Sequence, residues 1–243
     1  MNKLFTLLIL CFICSCTNRA SKLQEASNNS EESDKLYEEL NNSTVNAEKF
    51  HELTNLTDDE ISKFSDDELV DLAVELYSNV GGSAYFKEDS LKLIKALSFL
   101  NVAIEKNCKN EAAYLNKVSI HVAFSEYPKA ISDIKSLFKV KGEYAEGLMY
   151  IGLLYETLNV SDSSNIFYQK ALDSFNKRIK STNNLNDKIS RSILHCLLKN
   201  NNIGIDEINK IIAENPDNDF VKQIKTNVID NFDRLKFVKE AIR

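Results

Sequence analysis

Five cysteines, three histidines and several paired carboxylates are the residues of this chain that could do chemistry. Cys11 and Cys14 form a Cys-x-x-Cys, the spacing of thiol-redox and zinc sites. Cys11 lies in the apolar run Leu4–Ile13 and Cys14 directly follows it, behind the positive start Met1-Asn2-Lys3. That run is far short of the roughly 20 residues a membrane-spanning helix needs. It has the shape of a secretory signal, in which no folded site brings sulfurs together. Neither a metal nor a redox cofactor is expected there. His51, His121 and His195 belong to no His-Glu-x-x-His, and the chain has no glycine-rich phosphate loop and no Gly-x-Ser-x-Gly elbow. The carboxylate pairs Asp58-Asp59, Asp66-Asp67 and Asp206-Glu207 stand at predicted helix starts, where the helix dipole favours negative charge. Acid–base catalysis would need one carboxylate in an apolar pocket, and no pattern predicts one. The chain is therefore expected to be no enzyme and to carry no cofactor.

The end of the apolar run is more specific. Ile13-Cys14-Ser15-Cys16 resembles the lipobox of bacterial lipoproteins: an aliphatic residue, two small ones, then the lipidated cysteine. Cys14 stands where Ala, Ser or Thr is more usual. The resemblance covers about the first 16 residues. It implies cleavage after residue 15 and an acylated Cys16 as the new N-terminus. Several acyl chains hold a protein stably on a membrane where one does not. Thr17 follows the cysteine in place of the Asp that marks inner-membrane retention, which implies the outer membrane, on its periplasmic or its surface face. Cys108 and Cys196 are then the remaining thiols, about three repeats apart in the scheme below and so beyond the roughly 6 Å a disulfide spans.

The elements that follow are set by composition. Six Gly, two Pro and no Trp occur in 243 residues, against roughly 17 Gly and 12 Pro at average usage. Barrels, sandwiches and dinucleotide-binding sheets need more turns and glycine cradles than that. Long helices joined by short polar turns remain. Residues 16–56 are expected to be an acidic flexible tether, with polar clusters such as Asn28-Asn29-Ser30-Glu31-Glu32 and too little apolar surface to repay ordering. Short helical patches near Leu36 and Val45–Leu53 bury little. From Glu31 to Glu75 the charge is −12, and from Leu76 to Arg243 it is +4. So nearly neutral a body is not expected to bind nucleic acid.

Helix starts then appear. Thr57…Glu60 and Ser65…Glu68 fit capping boxes. After the second, Leu69, Leu72, Ala73, Leu76 and Tyr77 share one helical face, which stops at Gly81-Gly82. Ala96, Leu100 and Ala103 recur as Ala130, Ile134 and Leu137, and again as Ser164, Tyr168 and Ala171, a shift of 34 residues each time. Leu148, Ile151, Gly152 and Tyr155 precede the third set. A fourth unit, shifted by six residues, runs through Ile193–Leu198, an Asn201-Asn202 turn and Ile205–Ile212, and closes at Pro216. A 34-residue period with small residues at helix contacts resembles the tetratricopeptide repeat. The resemblance covers about residues 66–216, with one well-matched repeat and three degenerate ones.

The expected fold is all-α: a right-handed helical-repeat solenoid of about four helix pairs over 57–216, after a signal (1–15) and a disordered tether (16–56). A capping helix, single or as two abutting pieces, follows over 217–243, carrying the stripe Phe220, Ile224, Val228, Phe232, Leu235, Val238 and Ile242 and packing on the fourth unit. His121 and His195 fall at the aromatic position between repeats, as packing residues. In that family the first helices line a concave groove for a peptide or protein. The register puts Ala112, Leu115, Ser119 and Val122 there in the second unit, with Asn116 nearby. Glu146, Met149, Leu153 and Glu156 take the same places in the third. The function implied is an envelope-anchored, non-catalytic scaffold or adaptor for protein–protein interaction, in an assembly or secretion role. The alternative is a glycan- or nutrient-capturing surface lipoprotein, which the absence of Trp disfavours.

Overall fold

Both capping boxes form where the sequence places them. The Thr57 amide donates to Glu60 Oε2 (2.7 Å) while the Glu60 amide donates to Thr57 Oγ1 (3.3 Å). Ser65 and Glu68 exchange the same bonds at 2.7 and 3.2 Å. Each satisfies amides that the first helical turn leaves without partners. The computed structural model describes residues 47–78 and 87–242. Cys16, the tether up to residue 46 and the Gly81-Gly82 loop lie outside them.

The described residues form α-helices and one π-helical turn. They are α1 (Ala47–Asn55), α2 (Asp58–Lys63), α3 (Asp66–Ser78) and α4 (Lys87–Lys106). Next come α5 (Glu111–Ala123), α6 (Tyr127–Lys141), α7 (Ala145–Thr157) and α8 (Ser161–Thr182). The last are α9 (Leu185–Leu197), α10 (Asn201–Glu214), α11 (Asp219–Ile224), a π turn (Lys225–Ile229) and α12 (Arg234–Ala241). Helices pack as successive pairs: α3 with α4, α5 with α6, α7 with α8 and α9 with α10. The expected all-α, helical-repeat class is what the chain forms. The recurring residues explain the pairing, because Ala96, Leu100, Ala103, Ala130, Ile134, Leu137, Ser164, Tyr168 and Ala171 are all buried. No described helix is long and apolar enough to cross a membrane.

The chain divides after Lys141 into two compact units. The first holds α1–α6 around Leu53, Phe64, Leu72, Phe99 and Leu100. Helix α1 differs from the tether expected there. Leu53 is 1 % exposed, α1 packs on α3 and α4, and Lys95 Nζ donates to the Leu56 carbonyl at 2.8 Å. The patch buries little within itself, but α3 and α4 supply the apolar surface its own turn lacks. At the start of α3, Asp66 bonds beyond its own helix. Its Oδ2 accepts from Asn107 and Asn110 side chains at 2.8 Å each, joining the start of α3 to that of α5. Asn110 Oδ1 in turn accepts the Ala113 amide (3.0 Å) as the cap of α5.

The second unit holds α7–α12 around Leu148, Ile151, Tyr168, Phe175, Ile193 and Ile224. Gly152 marks the closest approach of α7 to α8: a Cβ there would lie 2.5 Å from two Tyr168 ring carbons. Gly204 marks that of α10 to α9, where a Cβ would meet Ser192 O at 2.7 Å and Cys196 Sγ at 2.6 Å. The fourth pair's second helix starts at Asn201, earlier than expected, so Asp206 and Glu207 lie within α10 and cap nothing.

One turn is built three times. Ser125, Asn159 and Lys199 have φ of 57°, 59° and 64°, the left-handed region that L-residues visit at a cost. At each, the next amide reaches back five residues: Glu126 to His121 O, Val160 to Tyr155 O and Asn200 to His195 O, at 2.7, 2.9 and 2.7 Å. This satisfies carbonyls at the helix end in the manner of a Schellman cap. The spacing of 34 and then 40 residues reproduces the sequence period and its six-residue shift. A chain poor in glycine thus makes glycine's usual turn from Ser, Asn and Lys.

The C-terminal region is not one helix. After α11, the Asp230 amide bonds Lys225 O (2.9 Å) across a π turn, and α12 restarts on Asp233, whose Oδ1 accepts the Lys236 amide at 3.0 Å. The π turn packs on α9 and α10, and α11 on α10, as a cap of the fourth pair should. Helix α12 packs on α7 instead. The extra residue of the π turn and the break rotate the stripe. Leu235 is 78 % exposed, and Phe237, Val238 and Ala241 form the buried face.

Candidate functional site

The positions assigned to the groove form two stripes, one in each compact unit. On α5, Ala112, Leu115, Asn116, Ser119 and Val122 follow one another at helical spacing and are all partly exposed. Ala112 rests against the core of its unit. Ser119 Oγ donates to Leu115 O at 3.2 Å, so its hydroxyl is turned onto its own helix. Asn116 Oδ1 accepts the hydroxyl of Tyr77 from α3. Burial pushes the Tyr77 phenol up to about 12, which keeps it a donor. The stripe offers aliphatic patches around one ordered amide. That chemistry grips side chains and pairs with a backbone, and it holds no activated nucleophile.

On α7 the same register positions have other partners. Met149 and Leu153 are 5 % and 3 % exposed. Glu146 is bound by Arg178 of α8, whose Nη1 lies 3.2 Å from Glu146 Oε2. Arg178 Nε and Nη2 also donate to Asp187 of α9 at 2.7 and 2.6 Å. These two carboxylates hold the guanidinium proton more firmly than usual. Glu156 accepts from Arg234 of α12 through Nε (2.5 Å) and Nη2 (3.0 Å), and from the Tyr168 hydroxyl at 2.7 Å. The Arg234 guanidinium also sits 5.9 Å from the Tyr168 ring centre. Burial, with the Glu156 charge second, raises the Tyr168 phenol well above its ordinary value. Of the α7 stripe expected to face a partner, Met149 and Leu153 are thus buried, Glu146 is held by α8, and Glu156 is held by the chain's own α12, which packs on α7.

The histidines also differ from expectation in detail. His121 is buried, with Nδ1 2.7 Å from Asp133 Oδ2, and so pins α5 to α6 within one pair. His195 lines a cavity of about 330 Å³ among α8, α9 and α10, with Asn176, Arg191, Ile203, Asp206, Glu207 and Lys210. Arg191 Nε donates to Glu207 Oε1 at 2.5 Å and its Nη1 to Asn176 Oδ1 at 3.0 Å. Burial holds the His195 imidazole below its ordinary range, with Arg191 adding to the effect and Glu207 opposing it. Cys108 is exposed and Cys196 buried, both free; burial pushes the Cys196 thiol up to about 11. Among the described residues no group of three His, Cys, Asp or Glu is placed to hold a metal ion. The pairs Glu156–Arg234, Arg178–Asp187 and Arg191–Glu207 escape the sequence reading because each joins different helices. An isolated Arg facing an acidic flank of an apolar stripe was the one available signal.

Solved structures with similar folds include a tetratricopeptide repeat protein from Parabacteroides merdae ATCC 43184, 20 % identical over 85 % of this chain and 75 % of its own, with a TM-score of 0.46. YrrB, described as a TPR protein with an unusual peptide-binding site, is 13 % identical over 72 % of this chain and 84 % of its own, with a TM-score of 0.40. No curated protein matches the chain. Residues 86–212, about half the chain and most of the four helix pairs, match the family described as "Uncharacterized protein conserved in bacteria (DUF2225)", and the chain belongs to that family.

Proposed function

We propose that this protein is a non-catalytic interaction scaffold that holds a peptide or protein segment along α5 and is fixed to the bacterial envelope, at the outer membrane, by lipid on Cys16. The observation that carries the reading is the α5 stripe. Leu115 and Val122 stay partly exposed on α5, while Ala113, Tyr114, Val118 and Ile120 of the same helix are buried. Exposed aliphatic residues beside an ordered amide are the ingredients of a peptide-docking face. The lipobox resemblance supports the anchor, and a helical-repeat body supports an assembly or secretion role of the adaptor kind.

The test uses the full chain. Leu115→Glu places a charge in the middle of the stripe without touching the buried core. Proteins co-purified from detergent-solubilised envelope are expected to be lost with Leu115→Glu, with the circular dichroism spectrum unchanged. An unaltered set would remove the stripe from the site. In the same experiment Cys16→Ser is expected to move the protein from the membrane fraction to the soluble one. Retention in the membrane fraction would refute the anchor.

A further inference from the structure

Helix α12 has the attributes of a bound peptide. It is eight residues long, below the length at which an isolated helix holds together in water. Its covalent link to the π turn is residues 230–233, of which Asp230, Asn231 and Asp233 are exposed. It packs on α7, the first helix of the third pair. The contact has a charged anchor and an apolar face. Arg234 donates twice to Glu156, which the Tyr168 hydroxyl holds in place. Phe237, Val238 and Ala241, three, four and seven residues further on, are buried. The opposite face is solvated: Leu235, Lys236 and Lys239 are exposed. An amphipathic helix reading i, i+3, i+4, i+7 into a groove is a recurrent mode of peptide recognition.

We propose that α12 is an exchangeable occupant of the α7 groove, and that the ligand it excludes is a helical peptide of the same chemistry, a basic residue followed at three, four and seven positions by apolar ones. This rests on the α7–α12 contact alone and stands whether or not α5 binds a partner. The groove selects that chemistry because Glu156 is mostly buried and already held by Tyr168. A ligand lacking the cation would leave the carboxylate desolvated and short of its partner. Tethering gives α12 an effective concentration on the order of a millimolar, so a free peptide competes at a disadvantage that ends when α12 is released.

The experiment measures binding of a labelled synthetic peptide, residues 231–242, by fluorescence anisotropy. Its targets are the full chain and full-chain variants. In Arg234→Glu/Phe237→Asp the groove is intact and α12 cannot dock. Affinity for this variant is expected to be at least about tenfold tighter than for the unaltered chain, the factor expected when about 90 % of the groove is self-occupied. Adding Glu156→Lys is expected to abolish binding, while Leu235→Asp, on the exposed face, should bind as weakly as the unaltered chain. Equal affinity for the unaltered chain and the undocked variant would overturn the proposal, as would no binding to the undocked variant. Hydrogen exchange on the unaltered chain gives a second check. Amides of α12 should exchange at least tenfold faster than those of α7–α10; exchange in step with them would also overturn it.

Discussion

At the scale of single residues, the second unit depends on two atoms that are not there. Gly152 and Gly204 each stand where a Cβ would collide with a facing helix. Tyr168 is fully buried and its hydroxyl is held by Glu156, so its ring has little room to yield. Gly152→Ala gains about 1 kcal/mol of helix propensity and loses about 1–3 kcal/mol to overpacking. The expected net loss is up to about 2 kcal/mol, read as a lower urea midpoint with an unchanged slope. Gly204→Ala should cost more, because Ser192 O is backbone and cannot swing aside. A midpoint for Gly204→Ala at or above that of Gly152→Ala would contradict this ordering. Gly152 was legible as the small residue of a repeat. Gly204 was not, because the fourth pair puts its close contact on the second helix, off the register of the others.

At the scale of elements, ion pairs hold the helix ends in register. Arg178 joins α8 to the first turns of α7 and α9 through Glu146 and Asp187. It is 37 % exposed on its side chain, so water screens part of the attraction. Asp187 is buried, however, and left alone would be a desolvated charge. Arg178→Met keeps the aliphatic stem and removes the charge. An expected loss of about 1–2 kcal/mol follows, and Asp187→Asn in addition should restore part of it. If the double variant is no more stable than Arg178→Met in chemical denaturation, the charge of Asp187 is not the cause. The helices joined this way were readable one at a time from caps and apolar spacing. Their partners were not, because Arg234 meets Glu156 across 78 residues and no local pattern carries that pairing. For the same reason α1 read as tether: its burial comes from α3 and α4, not from its own sequence.

At the scale of the whole molecule, stability should follow the division after Lys141. In repeat chains each unit is held by its neighbours, and local openings stay local. Gly152→Ala is therefore expected to speed amide exchange throughout α7–α10 and to leave α3 and α4 within about twofold of their original rates. Equal acceleration everywhere would mean one cooperative block. The helical-repeat class was legible because small and large buried residues recur at a fixed period. The self-occupied α7 groove was not, since it depends on where the last eight-residue helix settles.

The lengthening of α8 has one more consequence. It has 22 residues where its counterpart α6 has 15. Seven extra residues fall only about 20° short of two full rotations, so the added stretch leaves the helix almost in phase. Its new turns present Asn176 and Arg178, and these are the residues that engage Arg191 and Asp187 of α9. The insertion thus behaves like a whole number of screw threads: it advances the joint without turning it. Changes in this chain's length should be tolerated where they come in such near-integral steps, and should scramble the following pair where they do not.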